Sequence, residues 1–64
     1  MNSTQLNGKW TQIKGLLTEK YGEITGDDLA KVRGDVEQLI GVVSEKAGVA
    51  REEIEQFLSQ SLHQ

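Results

Sequence analysis

A chain of 64 residues has room for one domain, and folding at this size removes only about 60% of the unfolded surface from water, so its stability is modest. With no cysteine and a single histidine, the sequence offers neither disulfides nor a Cys or His cluster to support a small core. The formal net charge of -3 disfavours partners with phosphate backbones and anionic lipid surfaces.

The N-terminal segment carries no signal for export. Residues 1–5 lack the basic and apolar regions of a signal peptide. No stretch of the sequence approaches the roughly 20 apolar residues of a transmembrane helix. The sequence therefore predicts a cytoplasmic protein that does not enter a membrane.

Glycine spacing indicates an internal duplication. Six of the seven glycines form two triplets with the same spacing: Gly8, Gly15, Gly22 and Gly34, Gly41, Gly48. When residues 10–22 are placed over residues 36–48, Gln, Gly, Glu, Lys and Gly coincide and apolar positions stay apolar. Each half therefore predicts a long helix, a glycine that ends it and a shorter helix that begins with acidic residues.

The first helix is predicted from Gln5 to Tyr21. Apolar residues recur there at spacings of three and four and form one stripe: Leu6, Trp10, Ile13, Leu17 and Tyr21. Ser3 or Thr4 can cap its start, and Gly22 in the left-handed conformation can end it.

A short second helix is predicted after Thr25. Thr25 and Asp28 have the spacing of a capping box, in which each satisfies the backbone N–H of the other. The helix carries Leu29 and Val32, and Gly34 ends it.

The second half predicts two further helices. The third has an apolar stripe and is closed by Gly48; the stripe is Val36, Leu39, Ile40, Val43 and Ala47. The fourth begins near Ala50, with Glu52 and Glu53 in its first turn, and presents Ile54, Phe57, Leu58 and Leu62. Fraying is predicted for residues 61–64.

These elements predict one all-α domain over residues 1–64. Hairpin one spans about residues 5–33 and hairpin two about residues 34–62. Because neither hairpin can bury its apolar stripe alone, the two are expected to pack on each other across a shared core.

Several short motifs together resemble those of a known family. In chain order they are Trp10, Lys14-Gly15, Tyr21-Gly22, Thr25-Gly26-Asp27-Asp28-Leu29 and Gln38-Leu39-Ile40-Gly41, with a further glycine at Gly48. This combination, from about Leu6 to Phe57, resembles the CsbD-like family of small bacterial proteins. Many members have an aromatic residue where this chain has Ala47, which implies looser packing of the second hairpin or the loss of a surface aromatic.

The resemblance implies a fold and a setting but no chemistry. It implies four helices in two roughly orthogonal packed α-hairpins, as in SAM-domain-like folds, in a protein made under general stress control. The family carries no established activity, substrate, cofactor or catalytic residue.

The residues themselves give no catalytic, cofactor or metal site. His63, the only histidine, is next to last and is interpreted as a surface tail residue. The paired acids Asp27-Asp28 and Glu52-Glu53 are expected to offset the dipoles of first helical turns and to stay in water, without acting as acid and base. The sequence therefore predicts a protein that is not an enzyme and has no evident small-molecule substrate.

The basic residues and the tryptophan each allow a binding interpretation and a structural one. The basic residues in question do not share a narrow helical face, so solvated surface is favoured over a nucleic-acid patch: Lys9, Lys14, Lys20, Lys31 and Arg33. Trp10 lies in the apolar stripe, so a core anchor is favoured over an exposed stacking platform.

The glycines inside the long helices form the sharpest candidate site. Gly8, Gly15 and Gly41 are expected to project away from the apolar stripes, and each glycine inside a helix costs up to about 1 kcal/mol relative to alanine. The favoured explanation is that another helix of the domain crosses closely there, with Leu16 and Val42 as flanking contacts. The functional explanation is a groove for a partner helix or a second copy of the chain.

Two functions follow as hypotheses. The first is a non-enzymatic stress-response protein that acts by association with an unknown protein or with itself, or as an abundant stabilising solute. The alternative is a weak nucleic-acid-associated helical module whose binding depends on Lys9, Lys14 or Arg33 and falls with salt.

Overall fold

The computed structural model describes residues 8–62, and these residues contain four α-helices and no strand. The helices are α1 (Trp10–Lys20), α2 (Gly26–Val32), α3 (Val36–Ala47) and α4 (Arg51–Leu62). The prediction of an all-α protein with four helices is confirmed.

Helix α1 differs from its prediction at both ends. Gly8 and Lys9 form a turn, and the helix begins after them at Trp10. The predicted start at Gln5 and the predicted caps at Ser3 and Thr4 lie outside the described residues. The chain leaves α1 in an extended conformation at Tyr21 (φ −114°, ψ 90°). The predicted left-handed cap at Gly22 is therefore wrong.

The exit from α1 is set by burial of apolar side chains. Tyr21 and Ile24 are both buried, and the N–H of Ile24 donates to the Tyr21 carbonyl at 3.1 Å. This turn folds the chain back over the core, so a glycine with positive φ is not required.

The predicted capping box of α2 is confirmed. The Thr25 hydroxyl accepts a hydrogen bond from the Asp28 N–H, and the Asp28 carboxylate accepts one from the Thr25 N–H at 2.9 Å. The predicted break at Gly34 is also present, but the left-handed conformation begins one residue earlier: φ is 45° at Arg33 and 84° at Gly34.

Helix α3 is capped at both ends by side-chain and backbone groups. Asp35 caps its start, where the carboxylate accepts from the N–H groups of Glu37 and Gln38 at 3.0 and 3.3 Å. Gly48 ends the helix, as predicted; it adopts the left-handed conformation (φ 71°), and its N–H donates to the Ser44 carbonyl.

Helix α4 carries Glu52 and Glu53 in its first turn, as predicted. Ser61 and Leu62 are helical, and the fraying of residues 61–64 stays a prediction. His63 and Gln64 lie outside the described residues.

Helix α3 is the centre of the packing. It contacts each of the other three helices. Four of its apolar side chains are at most 2% exposed: Val36, Leu39, Ile40 and Val43. They pack in one core with buried residues of the rest of the chain: Ile13, Leu17, Tyr21, Ile24, Val32, Ile54 and Leu58. Helices α2 and α3, which belong to different predicted hairpins, contact each other. The orthogonal arrangement of the two hairpins stays a prediction.

Within residues 8–62, the helices fall short of the length and apolar character needed to span a membrane.

Candidate functional site

Gly15 lies in the middle of α1 and is exposed to solvent. A Cβ atom built on Gly15 would meet no atom of the other elements within residues 8–62 closer than 4 Å. The favoured explanation for this glycine, a close crossing of another helix of the domain, is therefore wrong for the helices within residues 8–62. Within the described part of the chain, no internal contact offsets the helix propensity that a glycine loses here.

Gly41 is in a different environment. It is partly buried in α3, and a Cβ atom at this position would lie 3.1 Å from Nη1 of Arg51 in α4. That atom is the tip of a flexible side chain, so the backbone of α4 does not cross closely at Gly41. The close-crossing explanation therefore holds only in part at Gly41, because a neighbouring helix covers the position through a side chain.

Gly8 is exposed and precedes α1, so it is not a glycine inside a helix. Gly15 faces open space whereas Gly41 faces Arg51. Gly15 and Gly41 therefore have different surroundings. The partner-contact face of Gly8, Gly15 and Gly41 stays a prediction, and its strongest member is Gly15.

Gly15 has apolar and charged neighbours on the outer side of α1. Leu16 and Phe57 are partly buried and line a surface depression of about 330 Å³ together with Glu19 and Lys20. Gly15 lies one helical turn before Glu19, so the open position adjoins this depression. We use the name α1 outer face for this surface, which consists of four residues of α1 and one of α4: Gly15, Leu16, Glu19, Lys20 and Phe57.

The cation of Lys20 is held over this surface by aromatic rings. Its Nζ lies 4.8 Å from the ring centroid of Phe57 and 5.9 Å from that of Tyr21. The rings of Tyr21 and Phe57 meet edge to face, with centroids 6.4 Å apart. The α1 outer face therefore presents an apolar centre with one positive and one negative group beside it.

Replacing Gly15 with alanine should stabilise the domain. The added methyl group enters open space, and alanine favours the helix over glycine by about 0.5–1 kcal/mol. Thermal unfolding followed by circular dichroism would show a higher melting temperature. Gly48→Ala is the control, because φ of 71° strains any residue with a Cβ atom and should lower the melting temperature. A lower melting temperature for Gly15→Ala would mean that Gly15 is needed for internal packing.

Asp28 is the buried charged residue among residues 8–62. The residue is only 6% exposed to solvent. Its Oδ2 atom accepts three hydrogen bonds: from Lys46 Nζ at 2.7 Å, from the Thr25 N–H at 2.9 Å and from the Thr25 hydroxyl at 3.0 Å. The prediction that Asp28 remains in water is wrong. Its ion pair with Lys46 ties α2 to α3.

These hydrogen bonds determine the charge state of Asp28. Donation from Lys46, and then from the Thr25 backbone, lowers the pKa of the Asp28 carboxyl from 3.8 to about 2. A carboxylate held so firmly in its ionised form is a poor general acid or base at neutral pH. The arrangement is suited to holding two helices together, and not to proton transfer.

The Tyr21 hydroxyl is buried and has no hydrogen-bond partner within residues 8–62. Burial, followed by the nearby charge of Glu53, raises the pKa of this phenol. A neutral phenol that stays protonated has no role as a base. Its ring contacts with Phe57 and Lys20 make it part of the support for the α1 outer face.

Trp10 and most of the basic residues differ in burial. Trp10 packs against the core but is only partly buried. Lys9, Lys20, Lys31 and Arg33 are exposed, as expected for a solvated surface. Two basic residues nevertheless meet at one place: Lys14 and Arg33 line the same surface depression as Trp10.

Candidate metal ligands do not gather in the described part of the chain. Among residues 8–62, no three His, Cys, Asp or Glu side chains are placed to hold a metal ion. The histidine of the sequence, His63, lies outside these residues.

The sequence matches a family and several curated relatives. Residues 4–56 match the family described as CsbD-like. UPF0337 protein PA4738 of Pseudomonas aeruginosa is 41% identical over 56 residues, covering 88% of this chain and 86% of that protein. UPF0337 protein pc0632 of Protochlamydia amoebophila is 38% identical over 55 residues, covering 86% and 83%.

A third relative is similar over most of the chain. UPF0337 protein YjbJ of Escherichia coli is 34% identical over 55 residues, covering 86% of this chain and 80% of that protein. No solved structure matches the chain. The family match covers most of the residues that build α1 to α4, together with the Thr25 capping box and the exposed Gly15. The chain belongs to the CsbD-like family.

Proposed function

We propose that this chain is a non-enzymatic bacterial stress-response protein of the cytoplasm that acts by protein association through the α1 outer face. Membership of the CsbD-like family supports the stress-response part of the proposal. The observation that carries the association is the open space around Gly15.

The physical argument starts from the cost of a glycine in the middle of a helix. Alanine at Gly15 would favour the helix by up to about 1 kcal/mol and would fit without a clash. At an exposed position of a helix, a glycine lets the backbone of a partner helix approach closely, because it has no side chain. A partner helix packed at Gly15 would gain contacts that any larger residue would block.

The rest of the α1 outer face supports the same interpretation. Leu16 and Phe57 are partly exposed apolar side chains that a partner could cover. Truncating large apolar side chains at the centre of an interface often removes much of its binding free energy. The opposite charges of Glu19 and Lys20 fit a two-fold contact with a second copy, in which each lysine meets the glutamate of the other copy.

Sedimentation equilibrium of the pure chain tests this proposal. The wild-type protein should associate as its concentration rises, and Gly15→Gln should remain monomeric at every concentration. Glutamine is a good helix former, so the variant should keep its helical circular dichroism. The loss of dimer would then report the blocked contact and not unfolding.

The control is Gly22→Gln. Gly22 is also exposed, and a Cβ atom there would meet nothing within 4 Å, but it lies beyond the end of α1. Association of Gly22→Gln should equal that of the wild type. Self-association is contradicted if the wild-type chain stays monomeric; crosslinking in stressed cells, compared between the wild type and Gly15→Gln, would then test for a different protein at the same face.

The second candidate function, a weak nucleic-acid-associated helical module, is supported by one observation. Lys14 from α1 and Arg33 from the end of α2 line the same depression as Trp10. Retention on DNA that falls with salt and is lost on substitution of Arg33 would favour this function over protein association.

A further inference from the structure

The depression beside Trp10 combines an aromatic ring with two cations. It has a volume of about 610 Å³ and lies between α1 and α2. Trp10 and Lys14 line it from α1, Gly26 and Leu29 from α2, and Arg33 from the turn that follows. We call it the Trp10 depression.

The charge of the Trp10 depression is opposite to that of the whole chain. The sequence has ten acidic and seven basic residues, yet two bases and no carboxylate are found among the described residues that line the depression. Three acids lie near it in the sequence but do not line it: Asp27 is exposed, Asp28 binds Lys46, and Asp35 caps α3. The local field of the depression therefore favours an anion.

Both cations are available to a ligand. Within residues 8–62, the Arg33 guanidinium is exposed and forms no ion pair. The Nζ of Lys14 lies 5.9 Å from the centroid of the Trp10 ring, a weak contact that leaves its N–H donors free to turn toward an anion.

The backbone of Arg33 gives a second, independent indication. Its φ of 45° is left-handed, a conformation that glycine adopts without strain and that costs a residue with a Cβ atom. Arginine therefore costs stability at this position, and its side chain forms no ion pair within residues 8–62 that would offset the cost. A ligand for that side chain would account for its presence.

We propose that the Trp10 depression binds a nucleotide, with the base against the indole and Leu29 and the phosphate between Lys14 and Arg33; this rests on the second candidate function and not on association through the α1 outer face. The nucleotide can be free or can be one unit of a single strand. The net charge of -3 opposes a long polyanion, so contact is limited to one or two units. Stacking of a base on an aromatic side chain, with a cation at the phosphate, is the common mode of single-strand recognition.

Tryptophan fluorescence reports on this site directly, because Trp10 is the only tryptophan of the chain. Adenosine monophosphate should quench it with saturation. Adenosine and ribose 5-phosphate, which each lack one half of the ligand, should bind at least several-fold more weakly. A short single-stranded oligoadenylate distinguishes the two sources of the nucleotide: tighter binding than the monophosphate indicates a strand, and equal or weaker binding indicates a free nucleotide.

Two variants should weaken binding about threefold to tenfold each, Lys14→Gln and Arg33→Gly. Arg33→Gly should at the same time raise the melting temperature, because glycine relieves the left-handed strain. Lys31→Gln is the control: it removes an equal charge from an exposed residue of α2 that lines a different depression, and it should bind as the wild type does.

Dependence on salt provides a further measurement. For the oligonucleotide, the logarithm of the binding constant should fall with the logarithm of the salt concentration with a slope of roughly -0.7 for each phosphate neutralised. The proposal is overturned if neither nucleotide probe quenches Trp10, if polyglutamate quenches it equally well, or if Lys31→Gln weakens binding as much as Arg33→Gly.

Discussion

Leu39→Ala is expected to remove a large part of the stability of the domain and to shift its urea unfolding to much lower urea concentrations. Leu39 is fully buried at the centre of α3, the helix on which the other three pack. Truncation of a buried leucine to alanine costs about 2–5 kcal/mol. A domain of this size has roughly 3–10 kcal/mol of stability in total, so the substitution removes a large part of it. Urea unfolding followed by circular dichroism measures the loss.

The matched control for this prediction is Leu16→Ala. Leu16 is on the outer side of α1 and is only partly buried, so the same change in side chain should cost about 1 kcal/mol or less. If the two variants lost equal stability, α3 would not be the centre of the core. Leu16→Ala should instead weaken self-association, because Leu16 belongs to the α1 outer face.

Local sequence signals predicted those features that depend on neighbouring residues. The capping box of Thr25 and Asp28 needs only a spacing of three, and the end of α3 needs only Gly48 after an apolar stripe. The N-cap at Asp35 was not predicted, although Asp35 directly before an apolar stripe, with Gln38 three residues later, carries the same kind of signal.

Features that depend on residues far apart in the sequence could not be predicted in this way. The end of α1 is decided by burial of Tyr21 and Ile24 against the core, and this overrides the usual preference for a glycine cap at Gly22. Helical periodicity placed Gly15 away from the apolar stripe correctly, but it could not show whether another helix covers that side. The answer depends on the packing of α1 on α3.

The candidate sites show the same division. Trp10 and Lys14 are four residues apart on one helix, so their contact is visible in the sequence. Arg33 joins them only because α2 folds back beside the start of α1. A helical wheel of α1 alone therefore spreads the basic residues over several faces, while the fold brings two of them to one depression.

Asp28→Asn is expected to lower the melting temperature at neutral pH. It is also expected to make the melting temperature depend less on pH in the acid range. The variant loses the ion pair with Lys46, which joins residues 18 positions apart in the sequence. In the wild type, the pKa of Asp28 lies near 2 in the folded state and has its ordinary value of 3.8 in the unfolded chain. Because its pKa is lowered on folding, the ionised Asp28 carboxylate stabilises the folded state at pH values above 3.8. This contribution to the free energy of unfolding is lost as the pH falls from 3.8 to about 2.

Thermal unfolding of the wild type, Asp28→Asn and Asp27→Asn, from neutral pH down to about pH 2, separates this effect from general acid destabilisation. Asp27 is the matched control, since it lies in the same helical turn and loses the same charge, but it is exposed and forms no ion pair within residues 8–62. The melting temperatures of the wild type and Asp28→Asn should converge as Asp28 becomes protonated, whereas Asp27→Asn should follow the wild type more closely at neutral pH. Parallel curves for the wild type and Asp28→Asn across the acid range would mean that the Lys46 contact does not hold α2 against α3.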